Sequence, residues 1–254
     1  MSQKPTLSDN SQVFLILALI FGAMLVGSLL FLGIRPALGD FDPENFDGKD
    51  IKTGYLAATV SQVALFIVCV LLFLRIVRLK FTQVFSFGKL SYKFILISIA
   101  VLIVGLFAVE LLSAANVWII EQYPRSGWIE GMQENIELNR SLFNPERKEL
   151  YPLALLLFGL LPGIVEELVF RGLLMKKLKD VSSGNVHFAV IVSALIFAAV
   201  HTQPWNLLPI AFMGVVLGYV YHYTKDIRYS MLIHFLFNAF SITAAFYFPE
   251  AIMT

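Results

Sequence analysis

This chain has little cysteine, little charge and few histidines, and each shortage narrows what it can be. A single cysteine, Cys69, rules out an intramolecular disulfide; it sits in an apolar run and reads as a buried structural thiol. Charged residues make up only 15% of the chain against 58% hydrophobic, with a mean hydropathy of +0.76, whereas an ordinary globular domain is about 25% charged. A soluble core cannot absorb that much apolar sequence. The net charge of +1 and the lack of a basic cluster exclude a nucleic-acid partner. Long internal repeats, low-complexity segments and paired inverted halves are also lacking, and the last of these counts against many transporter folds.

What is present is apolar sequence in runs of about 20 residues, the length that crosses a bilayer. The runs lie at Val13–Gly33, 56–74, 94–120, 150–175, 186–203, 204–224 and 229–248. They predict an all-α, polytopic transmembrane helical bundle with about seven spans. Two parts are expected: N-terminal spans and loops over 1–149, and a core over 150–248. The first run follows only one positive side chain, Lys4, and its 21 residues exceed the roughly 7–15 of a signal-peptide core. It reads as a retained anchor, although Ala37-Leu38-Gly39 loosely resembles a cleavage site. Only Gln203-Pro204 separates the fifth and sixth runs, so a tight turn is expected, with Pro204 breaking the helix and Trp205 anchoring it.

Charge orients these spans. Arg75, Arg78, Lys80, Lys89 and Lys93 fall together without an acid, and Lys176, Lys177 and Lys179 face one Asp180. Both connections belong in the cytoplasm by the positive-inside rule. The acids Asp40, Asp42, Glu44, Asp47 and Asp50, and then Glu121, Glu130, Glu134 and Glu137, fall in the alternate loops. The N-terminus is therefore expected inside and the C-terminus outside, in an integral, multi-pass protein of the cell membrane. Tyr219, Tyr221, Tyr223 and Tyr229 read as an interfacial belt. Trp128, Ile129, Met132 and Ile136 recur at helical spacing, which suggests an amphipathic surface helix.

Ionisable groups inside a span cost roughly 2.5–3.5 kcal/mol each on insertion scales, so their presence calls for a reason. Glu166 and Glu167 are adjacent and must point about 100° apart on a helix, while Glu167 and Arg171 are spaced i,i+4 and can pair. That leaves Glu166 on another face. An unpaired carboxylate in a low-dielectric cavity holds its proton more tightly, which suits a general base near neutral pH. His201 ends an apolar run with Phe197 one turn earlier. His234 and Asn238 share a face and supply two hydrogen-bond donors, as an oxyanion needs. Structural readings compete at each place: an interfacial salt-bridge cluster for the first, an interfacial histidine for the second, a helix–helix hydrogen bond for the third. His187 and His222 lie beside span boundaries and read as interfacial. Gly214 and Gly218 form a GxxxG that allows close helix packing, and Gly163 after Pro162 is expected to kink the fourth span. Glu110 is an outlier in the third span, placed either in the cavity or near the outer interface. At about 1.5 Å per residue, Glu166, His201, His234 and Asn238 all fall within the membrane, so a shared polar cavity is expected.

Glu166-Glu167-x-x-x-Arg171, Phe197-x-x-x-His201 and His234-x-x-x-Asn238, in that order, resemble the CPBP family of intramembrane endopeptidases (CAAX-processing and bacteriocin-processing, Abi-type) over about residues 150–245. The resemblance implies a glutamate-type protease that hydrolyses peptide bonds of membrane-associated peptide or protein substrates. By position, Glu166 and His201 would activate the attacking water. His234 and Asn238 would stabilise the oxyanion, with Glu167, Arg171 and Phe197 in support. No metal or other cofactor is expected. The family has also been described as metalloproteases, and the alternative is zinc held by Glu166, His201 and His234, although no His-Glu-x-x-His helix is present. Eukaryotic relatives trim the residues after a prenylated cysteine; nothing here marks such a preference, so CAAX-type substrates stay open. A non-proteolytic immunity or scaffold protein of the same fold, and a proton-coupled transporter, are the other function classes. Oligomeric state is not legible.

Overall fold

The computed structural model describes residues 7–34, 55, 59, 65–85, 87–88, 90–122, 143 and 145–248. The expected amphipathic segment around Trp128 and the Ala37–Gly39 site lie outside them. Among the described residues the regular structure is helical: α1 (Asp9–Ile34), α2 (Leu65–Val77), a short α3 (Phe81–Val84), α4 (Tyr92–Glu121), α5 (Lys148–Val181), α6 (Val186–Val200), α7 (Leu207–Thr224) and α8 (Ile227–Tyr247). Five of these stretches are long and apolar enough to cross a membrane, and α2 and α6 are shorter apolar helices. The chain is an integral, multi-pass helical bundle.

Contacts sort the helix ends into two groups. Lys177 on α5 pairs with Asp9 at the start of α1, Lys176 Nζ donates to Val84 O, and Gly88 N donates to Asp226 Oδ2. At the other end, Asn116 on α4 bonds to the α6–α7 turn, and Tyr151 on α5 bonds to Thr243 on α8. This is the alternation that the charge pattern predicts. Asp226 caps α8 by accepting from Arg228 N at 3.0 Å, and Asn185 caps α6 by accepting from Phe188 N.

Helix α5 is the hub. Its first half packs on α8, and its second half on α1, α2 and α6, while α4 lies against α7 and α8. The main apolar core joins Ile16, Ile20, Phe73 and Phe85 from the N-terminal half of the chain to Phe170, Leu174, Phe197 and Ile227. The GxxxG acts as expected, since a Cβ on Gly214 would lie 2.9 Å from Ala194 Cβ and one on Gly218 3.0 Å from Val190 Cγ1. Gly163 lets α8 approach so closely that a Cβ would stand 3.1 Å from Phe235 N. Two stretches of α5, Leu155–Leu160 and Leu168–Met175, are π-helical, a rare geometry that recurs near functional sites.

One expectation changes, and two open points resolve. Tyr229 is not part of an aromatic belt: it is 2% exposed and its hydroxyl accepts from Ser91 N at 2.7 Å. Its place in the first turn of α8 faces inward. Glu110 is exposed on α4 and so does not enter the polar cavity. Finally, the inner helix ends are not level, because Ile227 packs beside Gly172, nine residues before the end of α5.

Candidate active site

That stagger is what brings the polar residues together. Helix α6 carries His201 about 22 Å from its start, and Glu166 stands about 22 Å from the end of α5. His234 is only about 10 Å along α8, but α8 begins beside Gly172, and the offset makes up the difference. Glu166 Oε2 lies 3.8 Å from both His201 Nε2 and His234 Nε2.

The two adjacent glutamates diverge as helical neighbours must. Glu167 is wholly enclosed; its Oε1 accepts from Arg171 Nη1 at 2.6 Å and pairs with His234 Nδ1 at 2.9 Å. Arg171, 1% exposed, also donates from Nη2 to Gly214 O at 3.0 Å. The GxxxG therefore does two things, since the close approach of α7 also brings a backbone carbonyl to the guanidinium. Phe197 lies at the centre: the Arg171 guanidinium sits 4.6 Å from its ring centroid, with the His201 and His234 rings 4.5 and 5.8 Å away. A buried cation–π contact of this kind contributes about 2 kcal/mol and holds the arginine in one place.

Hydrogen bonding fixes the histidine tautomers. His201 Nδ1 lies 2.7 Å from Phe197 O; a carbonyl only accepts, so Nδ1 carries the proton and the Nε2 lone pair faces Glu166. His234 Nδ1 meets the Glu167 carboxylate in the same way. Glu166 is 8% exposed, and among the described residues its Oε2 is enclosed without a hydrogen-bond partner, as is Oε2 of Glu167. Asn238 is half-buried one turn beyond His234, and no hydrogen bond engages its carboxamide among the described residues. His187 and His222 stay apart at the inner ends, paired with Tyr219 and Lys225. Among the described residues no group of three or more His, Cys, Asp or Glu side chains has metal-holding geometry as it stands.

Residues 148–240, which carry all seven of these side chains, match the family described as Type II CAAX prenyl endopeptidase Rce1-like. The segment thus resembles the Rce1-like CAAX protease family. The chain is 32% identical over 106 residues to the membrane-embedded CAAX protease MroQ of Staphylococcus aureus (strain USA300), covering 40% of this chain and 42% of MroQ. It is 30% identical over 91 residues to YdiL of Bacillus subtilis (strain 168), described as a candidate membrane peptidase, covering 36% of each chain. The chain thus spans less than half the length of the curated relatives it matches. No solved structure matches it. The Rce1-like segment begins with α5 and ends within α8, so α1, α2 and α4 pack on it from outside the matched region.

Sequence reasoning missed the Gly214 carbonyl, because a backbone acceptor has no sequence signature. It also missed Asn116, although a carboxamide buried in an apolar helix is itself a signal.

Proposed function

We propose that this protein is an intramembrane endopeptidase that hydrolyses peptide bonds of membrane-associated substrates with a water activated by Glu166 and His201. The observation that carries the reading is the convergence of three acceptor atoms, Glu166 Oε2 and two imidazole Nε2, at separations of 3.8 Å. That distance is too long for a direct hydrogen bond and suits a bridging water. A water donating to Glu166 Oε2 and His201 Nε2 is polarised for attack.

The steps then balance. Glu166 takes the water proton as the oxygen attacks the scissile carbonyl carbon. The carbonyl π pair moves to oxygen, and that oxyanion is held by Asn238 Nδ2–H on the side of the cavity that His234 lines. The Nδ1 contact with Glu167 sets the orientation of the His234 ring. Collapse expels the amine, which receives the proton from Glu166. The apolar walls of the bundle strengthen each of these contacts by excluding bulk water.

Zinc is a second reading: Glu166, His201 and His234 are the donor types of an open-site zinc and both Nδ1 atoms already hold the outer hydrogen bonds that orient such ligands, but the three side chains would have to close up to reach metal-holding geometry. Zinc there would supply Lewis acidity to the water and carbonyl. Orientation follows charge: the Arg75–Lys93 and Lys176–Lys179 connections face the cytoplasm, and Glu166 and His201 then lie about 22 Å beyond those inner ends, nearer the outer face than an opening to the cytoplasm would place them.

The test is cleavage by the purified full chain in liposomes, using membrane-anchored peptides with and without a prenylated CAAX end. Loss on Glu166→Ala and on His201→Ala, with activity retained in chelator, supports the water mechanism. Loss in chelator with recovery on zinc selects the metalloprotease. A cellular phenotype fully preserved by Glu166→Ala would defeat the protease reading in favour of an immunity or scaffold role.

A further inference from the structure

Asn116 is a carboxamide buried at 3% exposure on α4, outside the segment that resembles known proteases. Its side chain makes two hydrogen bonds, and both reach the α6–α7 turn: Nδ2 donates to Pro204 O at 2.7 Å, and Oδ1 accepts from Leu208 N at 2.9 Å. The first is at the start of the 3-10 turn Pro204–Asn206, and the second is in the first turn of α7. Leu208 N is one of the N–H groups that a helix start leaves without an acceptor. One planar group thus closes the turn from both sides.

His201 is the residue at which α6 ends, and Thr202 follows in the left-handed region at φ 51°. The other hydrogen bonds of residues 201–208 stay within α6, the turn and α7, such as Asn206 Nδ2 to Gln203 Oε1. Among the described residues, Asn116 alone ties this stretch by hydrogen bonds to another part of the bundle. We propose that Asn116 is a positioning residue for His201, clamping the α6–α7 turn so that His201 Nε2 is held toward Glu166 Oε2. The role rests on His201 serving the water-activating pair. A displacement of about 1 Å at a reacting group costs on the order of 100-fold in rate, so a clamp two helices away can matter to chemistry while touching no substrate.

The experiment uses the full chain in nanodiscs, labelled with 15N-histidine. Four histidines give four sets of ring signals, assigned by substituting each in turn. Asn116→Ala removes both bonds. Asn116→Asp keeps the size and the Leu208 bond but sets a carboxylate oxygen against Pro204 O, and it serves if the alanine variant does not fold. In either variant the His201 nitrogens should shift or broaden, with His187 and His222 at the inner ends unchanged. The kcat should fall about 10–100-fold with KM within about threefold. Tyr151→Phe, which removes a hydrogen bond at the same end of the bundle, should move neither readout. Unchanged His201 signals in a folded variant, or a raised KM at constant kcat, would overturn the proposal. Should the wild type cleave none of the peptides, the His201 signals still decide whether Asn116 sets that ring.

Discussion

Replacing Arg171 with methionine strands the Glu167 carboxylate. That carboxylate is 0% exposed and loses the 2.6 Å hydrogen bond from Nη1, keeping His234 alone. Removing one partner of a buried ion pair costs about 3–5 kcal/mol. The hydrogen bond to Gly214 O, charge-assisted and worth about 1.5–3 kcal/mol, goes as well, while methionine regains part of the packing over Phe197. A net loss of about 4 kcal/mol follows, about a thousandfold in the unfolding equilibrium. Adding Glu167→Gln to the same chain removes the stranded charge, and its amide oxygen can still accept from His234 Nδ1. The double variant should therefore recover at least about 2 kcal/mol over Arg171→Met alone. Reversible unfolding in mixed detergent–SDS micelles, followed by helical ellipticity, measures all three. A single-variant cost below about 1 kcal/mol, or a double variant equal to the sum of the singles, would refute the description of a buried, mutually dependent pair.

Gly214→Ala would set a Cβ 2.9 Å from Ala194 Cβ and 3.0 Å from its Cα; the expected cost is about 1–3 kcal/mol, partly recovered by Ala194→Gly in the same unfolding assay. Gly163→Ala presses on backbone, with Phe235 N at 3.1 Å, so α8 must retreat and carry His234 with it. Activity should drop more than stability, read as kcat beside the unfolding midpoint. At the inner end, burial works to raise the Asp226 carboxyl, but the Arg228 side chain and the backbone N–H groups of Arg228 and Gly88 outweigh it and hold it below the ordinary carboxylate range. A depressed folded value means stability that is present above the unfolded value of about 3.9 and is lost as pH falls through the folded one. Asp226→Asn should flatten that acid limb in an unfolding series across pH; an unchanged limb would show that the clasp contributes nothing.

The ion pair of Glu167 with Arg171 was legible from i,i+4 spacing, and it survives in the structure because a π-turn still brings such residues to one side. The helical bundle and its alternating ends were legible from run lengths and charge. The meeting of His201 with His234 was legible only in outline. Counting residues from level helix starts leaves the two about 12 Å apart, and the missing offset comes from the packing of Ile227 on Gly172, a contact between distant parts of the chain. Tyr229 misled because a tyrosine near a predicted boundary has the same sequence signature whether it meets lipid or a buried backbone group. The π-helical stretches of α5 depend on which carbonyl each N–H selects, and composition does not encode that choice.

Helix α6 has 15 residues, about 22 Å of rise, against a hydrocarbon layer of about 30 Å. A helix cannot stretch, and tilting would only shorten its reach, so the surrounding lipid must thin to meet it, at a fraction of a kcal/mol per ångström of mismatch. The mismatch is met at both ends, and one of them carries His201 and its turn. Acyl-chain length is thereby a mechanical input to this site: in short-chain lipid the turn rests at its natural height, and in thick, ordered bilayers the same turn is pulled upon. A protein built this way would register the thickness of the membrane around it.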